Sequence, residues 1–165
     1  MMRSLAIFCA AAAIFAASAA GQGAVQVEPT MLKGPRPLAK QTESAVVRDY
    51  LEAWQTLSAA LNQNQADLLN QDFVGTAKEK FAATVDEQAK LGLHTHYQER
   101  SHDIKIIFYS PDGLSIQVVD NIEYDVQLLE HEKVLATQPV RARYIAVLTP
   151  TEVRWKVRVL QSESQ

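Results

Sequence analysis

The sequence predicts one α+β domain in which three N-terminal helices pack on the concave face of a four-stranded antiparallel meander. Three observations predict it. Apolar residues recur at three- and four-residue steps from Thr42 to Ala89. The period then changes to two and holds nearly to the end of the chain. The helical half precedes the strand half, the order of an α+β layer fold. The longest alternating run, Gly113 to Leu129, is the centre of the sheet. Leu114, Ile116, Val118, Ile122, Tyr124, Val126 and Leu128 line one face, and Ser115, Gln117, Asn121, Glu123, Asp125 and Gln127 the other. Asp120 breaks the pattern by falling on the apolar face.

The elements follow in order. Met1 to Arg3 is a short positive region, Leu5 to Ala17 an apolar run, and Ala17-Ser18-Ala19 a small-residue cleavage site. Residues 1–20 therefore read as a secretory signal peptide, and the protein as secreted or periplasmic. An uncleaved anchor is the alternative, although the run is short for a membrane span, and no later stretch is long enough for one. Cys9, the one cysteine, lies in that run without the small residues that precede a lipidated cysteine. The mature chain then has no thiol and must rely on its core. Roughly 140 residues remain, enough for one domain. A net charge of −3 implies no field for nucleic acid.

Residues 21–40 hold Pro29, Pro35, Pro37 and three glycines, and read as a flexible linker. An ordered arm docked through Val25, Val27, Met31 and Leu32 is the alternative. The domain proper spans 41–162, with 163–165 a tail. Val47, Tyr50, Leu51, Trp54, Leu57 and Leu61 make one stripe of the first helix, opposite Arg48, Glu52, Gln55 and Asn62. After a break at Asn62–Asn64 a brief second helix carries Leu68 and Leu69, and Phe73-Val74-Gly75 turns the chain. Thr76-Ala77-Lys78-Glu79 matches a capping box that opens a third helix, and Gly92 suits its left-handed end.

Ile104, Ile106 and Phe108 alternate as the first strand, and Ser110-Pro111-Asp112-Gly113 is a turn. A reversal at His131-Glu132-Lys133 leads into Val134–Leu148, with Pro139 at a bulge or an exposed edge. After Thr149-Pro150-Thr151-Glu152, the residues Val153, Trp155, Val157 and Val159 complete the sheet. Arg141, Arg143, Arg154, Lys156 and Arg158 are expected on the outer face, partly offset by Glu123 and Asp125. That face is either plainly solvated or a docking surface for an acidic partner.

Val47-Arg48-Asp49-Tyr50-Leu51-Glu52-Ala53-Trp54, with Arg143-Tyr144 and Trp155-Lys156-Val157, resembles the opening helix and last strands of the nuclear transport factor 2-like superfamily. That superfamily includes ketosteroid isomerase and small polyketide cyclases, and its fold is a cystatin-like cone. The resemblance spans Thr42 to Gln161. Leu68-Leu69, Phe73-Val74-Gly75 and the long third helix are similar to a branch found in plastid-division and bacterial envelope proteins, which implies partner binding. The fold also implies a possible homodimer through the outer sheet face. The family's isomerases keep a tyrosine in the first helix, matched here by Tyr50, and an aspartate base after the second. The aspartate-bearing segment is missing, so the resemblance supplies no catalytic residue, and it implies no cofactor.

Two constellations could form a site. Asp120 must be paired, hydrogen-bonded or protonated in a dry core, and Tyr144 on the next strand is its expected partner. Asp120 is either the polar anchor of a ligand pocket formed with Tyr144, Tyr50, Trp54 and Tyr124, or is turned outward by a bulge at Asp120-Asn121. His94 and His96, two apart on a strand, could reach one metal ion. His102 lies roughly 20 Å further along, so no metal site is expected. The function expected is an exported, non-catalytic binding module for a small apolar ligand or a protein partner. The alternative is a small isomerase or hydratase using Asp120 as acid or base.

Overall fold

The computed structural model of the chain describes residues 23–163. The expected signal peptide and the last two residues of the tail lie outside the described residues. In order, the elements are β1 (Ala24–Val27), α1 (Lys40–Gln63), a 3₁₀ turn (Ala66–Asn70), α2 (Gly75–Lys90), β2 (Leu93–Tyr109), β3 (Ile116–Glu130), β4 (Lys133–Pro150) and β5 (Trp155–Ser162). The strands form one sheet in the order β1-β2-β3-β4-β5. All neighbours are antiparallel except β1, which runs parallel to β2. The α+β class is as expected; the element count is not.

The brief second helix is a single 3₁₀ turn. Five residues cannot repay helix nucleation, and Leu69 alone is fully buried there. The predicted linker contributes a fifth strand, because β2 has an open edge whose amides and carbonyls need partners. The arm that follows is also tied down. Glu28 pairs with Lys105 at 2.7 Å, Thr30 donates to Glu43 at 2.9 Å, and Arg36 stacks on Tyr109. Val25 and Val27 stay exposed, so backbone bonds rather than apolar burial hold β1. Gly23 lets the arm pass the β2 bulge, since a Cβ there would lie 2.7 Å from the Arg100 carbonyl carbon.

The capping box does not form. Phe73 and Val74 run along the free edge of β5, with Val74 N–H donating to the Val157 carbonyl and Val157 N–H to that of Asp72. This pairing brings the chain into α2 two residues early, and the Thr76 hydroxyl donates to the Arg158 carbonyl instead. Gly92 does end the helical region, at φ +70°. At the far end of α1, Asn64 takes the left-handed conformation. The Gln88 amide donates to the Leu61 carbonyl and to Asn64, and Thr95 donates to Gln88, clasping α1, α2 and β2 together.

α1 crosses the inner face of the sheet, and α2 packs on the 3₁₀ turn, β5 and β2. Buried Val46, Tyr50, Ala53, Trp54, Leu57 and Leu61 of α1 meet Ile104, Ile106, Ile116, Val118 and Ile122 of the sheet. Each such aliphatic side chain stabilises the contact by roughly 1.5–3 kcal/mol. Phe108 leaves the expected pattern, because a bulge between Ile106 and Phe108 turns its side chain to solvent.

Candidate functional site

The alternation of β3 carries through Asp120. Its neighbours are Ile104 on β2 and Tyr144 on β4, and the sheet's four register shifts all lie elsewhere. The bulge alternative is thereby overturned: Asp120 is 0 % exposed and points under α1. Its partners differ from the expected one. The Tyr50 hydroxyl donates to Asp120 Oδ2 at 2.9 Å, and His102 Nδ1 lies 2.7 Å from the same oxygen. Tyr144 stands directly across, but its hydroxyl meets that of Tyr124 at 3.1 Å. The phenol is too long to fold back on a short carboxylate one strand away.

His102, weighed in the sequence only as a distant metal ligand, is the central residue of this group. It is 1 % exposed, shares the inner face with Ile104 and Ile106, and sets its second nitrogen 3.2 Å from Glu99 Oε2. Both ring nitrogens therefore face carboxyl groups, which when ionised accept and do not donate, and a ring held between two such acceptors carries a proton on both nitrogens. Burial pushes the imidazolium pKa down. The hydrogen bonds to Asp120 and Glu99, with their charges, outweigh it and leave the pKa at about 9. Burial above all, then the Asp120 charge, pushes the Tyr50 pKa well above 10 and keeps its hydroxyl a donor. The result is a chain of donors and acceptors from Glu99 through His102 and Asp120 to Tyr50.

Trp54 roofs this chain. Its ring centroid lies 6.0 Å from His102, 5.2 Å from Tyr144 and 6.0 Å from Tyr124, and Tyr97 closes the cluster 5.2 Å from Tyr124. Burial, with a smaller contribution from Tyr144, pushes the Tyr97 phenol up to about 12. Tyr97 and Tyr144 are half-buried, so the aromatic cluster runs from the floor at Asp120 out to the surface. Among the described residues two buried side-chain polar atoms have no hydrogen-bond partner: Trp54 Nε1 and Asp120 Oδ1.

The remaining candidates are dispersed. His94 and His96 lie at the start of β2, opposite Leu129 and Gln127. Among the described residues no three His, Cys, Asp or Glu side chains are grouped to hold a metal ion. Arg141 and Arg143 stay exposed but hold Glu123 and Glu163 of their own chain. Arg154 is not on the outer face. Arg154 reaches Asp72, which is fully buried, and Glu52 at 3.0 Å, while Lys156 donates to the Asn70 carbonyl at 2.8 Å. The cause is that β5 begins at Trp155, whose amide is held by buried Asp49, so the preceding arginine turns back toward α1. Arg158 is exposed, its stem lying against Gly75 at the start of α2. Arg154 is thus drawn away from the other four cations.

No protein-family model and no curated protein matches the sequence. Solved structures do match the fold. The intermembrane space region of the chloroplast protein ARC6 aligns over 79 % of this chain and 100 % of its own, with a TM-score of 0.63 at 17 % identity. A scytalone dehydratase-like protein of Novosphingobium aromaticivorans covers 76 % of this chain and 89 % of its own, with a TM-score of 0.53 at 15 % identity. Aln2 of a Streptomyces species covers 78 % and 93 %, with a TM-score of 0.52 at 13 % identity. The fold shared with these structures is the fold that the resemblance of the sequence implied. At such identities the likeness concerns the fold.

Proposed function

We propose that the chain is an exported, non-catalytic binding module whose interior takes a small, mostly apolar ligand. The observation that supports this best is the state of His102. A general base needs a bare nitrogen aimed at the proton it removes. Here both nitrogens hold carboxylates, and Asp120 Oδ2 already accepts from two donors. What is left is an aromatic lining over a fixed polar floor, the composition of a binding pocket. The scytalone dehydratase-like neighbour keeps in view the alternative, an isomerase or hydratase using Asp120 as acid or base. Nitrogen-15 NMR of the His102 ring at pH 7 separates the two. Two protonated nitrogens are expected; a neutral ring titrating near pH 6.5 would restore acid–base chemistry.

A protein partner is the second reading, favoured by Ile107, Phe108 and Leu114, which are exposed together near one end of the sheet. A photo-crosslinking residue at Phe108, expressed in the native host, should give a discrete adduct. The homodimer suggested by the fold would instead yield a band at twice the monomer mass. Export requires a mature N-terminus near Ala20 or Gly21 by mass spectrometry, and intact Met1 in envelope fractions would overturn it.

A further inference from the structure

The arm that follows β1 also forms one wall of a groove of about 670 Å³, whose other wall is a flank of α1. On the helix side Lys40, Glu43, Val47 and Leu51 recur at three- and four-residue steps, so they succeed one another along a single stripe. Val27 and Pro29 line the arm side. The stripe of α1 that enters the core, Val46, Tyr50, Ala53 and Trp54, is a different one, so this groove is separate from the interior discussed above. Val47 and Leu51 are half-buried and Val27 and Pro29 exposed, which leaves an apolar surface open to a ligand.

Four charged side chains line the same groove. Two are neutralised within the chain: Glu28 by Lys105 at 2.7 Å, and Arg48 by buried Asp49 at 2.8 Å. Lys40 and Glu43 make no ion pair among the described residues, and Glu43 is met by a neutral donor, the Thr30 hydroxyl, at 2.9 Å. Three residues apart on a helix, their Cβ atoms stand about 5–6 Å from each other. Val47 follows Glu43 by one turn, about 6 Å along the axis. The order along the groove is therefore cation, anion, apolar wall.

We infer that this groove binds a free apolar α-amino acid, its carboxylate at Lys40, its ammonium at Glu43 and its side chain against Val47, Leu51, Val27 and Pro29. An α-amino acid carries both charges and its side chain on one carbon, which suits two charges at neighbouring helix positions with an apolar wall one turn on. A simple apolar anion would set a like charge beside Glu43, and a simple apolar amine would set one beside Lys40. A groove with a mostly apolar wall and a few placed polar groups is the usual form of a small-molecule site.

The mature protein, with methyl groups labelled for NMR, is titrated at pH 7 and low salt with L-leucine, N-acetyl-L-leucine, L-leucinamide and 3-methylbutan-1-ol. L-Leucine should shift the methyls of Val27, Val47 and Leu51 and leave the Trp54 indole signal in place. The acetylated acid and the amide, each lacking one charge, should bind about fivefold more weakly, as a partly exposed ion pair allows, and the alcohol most weakly of all. Lys40→Gln should bind L-leucine no better than L-leucinamide. Glu43→Gln, which keeps an acceptor for Thr30, should bind it no better than N-acetyl-L-leucine. Added salt should weaken L-leucine and spare the alcohol. Equal binding of all four probes would overturn the site, as would no shift with any of them at millimolar concentration. Shifts at Trp54 in place of the groove methyls would overturn it too, and would assign the ligand to the interior.

Discussion

Raising the pH should destabilise this protein through His102. In the folded chain the imidazolium is held between Asp120 and Glu99, and its pKa rises from 6.5 to about 9. A raised pKa means that folding favours the protonated ring. The contribution is complete below about pH 6.5, declines between 6.5 and 9, and is gone above the folded value. Two and a half pH units at about 1.4 kcal/mol each set its size at roughly 3 kcal/mol. That is a large part of the stability of a domain this size, on the order of 5–15 kcal/mol. Urea titrations at pH 6, 7, 8, 9 and 10, followed by circular dichroism, should show the midpoint falling by about 2 M across the series. His102→Gln supplies the control: it is less stable at pH 6, and its profile should be nearly flat from 6.5 to 9. A wild-type profile parallel to that of the variant would refute the reasoning, and a midpoint that rises with pH would reverse its sign.

Other perturbations test other parts of the molecule. Arg154→Ala leaves the fully buried Asp72 carboxylate with the Thr56 hydroxyl but without its cation and should lower stability by about 3 kcal/mol in urea, a larger effect than Arg141→Ala, whose exposed pair with Glu123 should contribute less than about 1 kcal/mol. Gln88→Ala leaves the Leu61 carbonyl without the Gln88 amide and should lower stability by about 1–3 kcal/mol, with faster amide exchange in Leu93–Tyr97 where the clasp joins β2. A strong chelator should leave the melting temperature unchanged; a fall of several degrees restored by zinc would bring back His94 and His96 as ligands.

Much of the architecture was legible in the sequence because burial writes a period into it. The stripe Val47–Leu61 and the alternation Ile116–Tyr124 located α1 and β3 and put Asp120 on the apolar face, with an outward bulge as the alternative that the register decides. What was not legible had other physical causes. β1 is held by backbone bonds, to which side-chain periodicity is blind. His102 was visible as an inner-face residue through its spacing from Ile104 and Ile106, yet pairing it with Asp120 needed the β2–β3 register, which depends on two bulges in β2. Arg154 looked like an outer-face cation because alternation was carried back one residue before the start of β5. Gln88 gave no signal, since a polar residue in the last turn of an amphipathic helix is ordinarily solvated.

β1 also bears on the order in which the molecule can assemble. The arm leads the chain, but the strand it joins comes far behind it; the Glu28–Lys105 pair that anchors it spans 77 residues. The β2–β3–β4 meander closes through short turns and can form early, whereas a four-residue parallel strand must wait for a large loop to close. The first residues of the domain to be synthesised are thus among the last to dock. Until they do, the β2 edge at Ser101–Ile104 stands open on an otherwise formed sheet. The arm then acts as a latch on a finished sheet, and Gly23 lets that latch seat beside the Arg100 bulge and cover an edge open to strand addition.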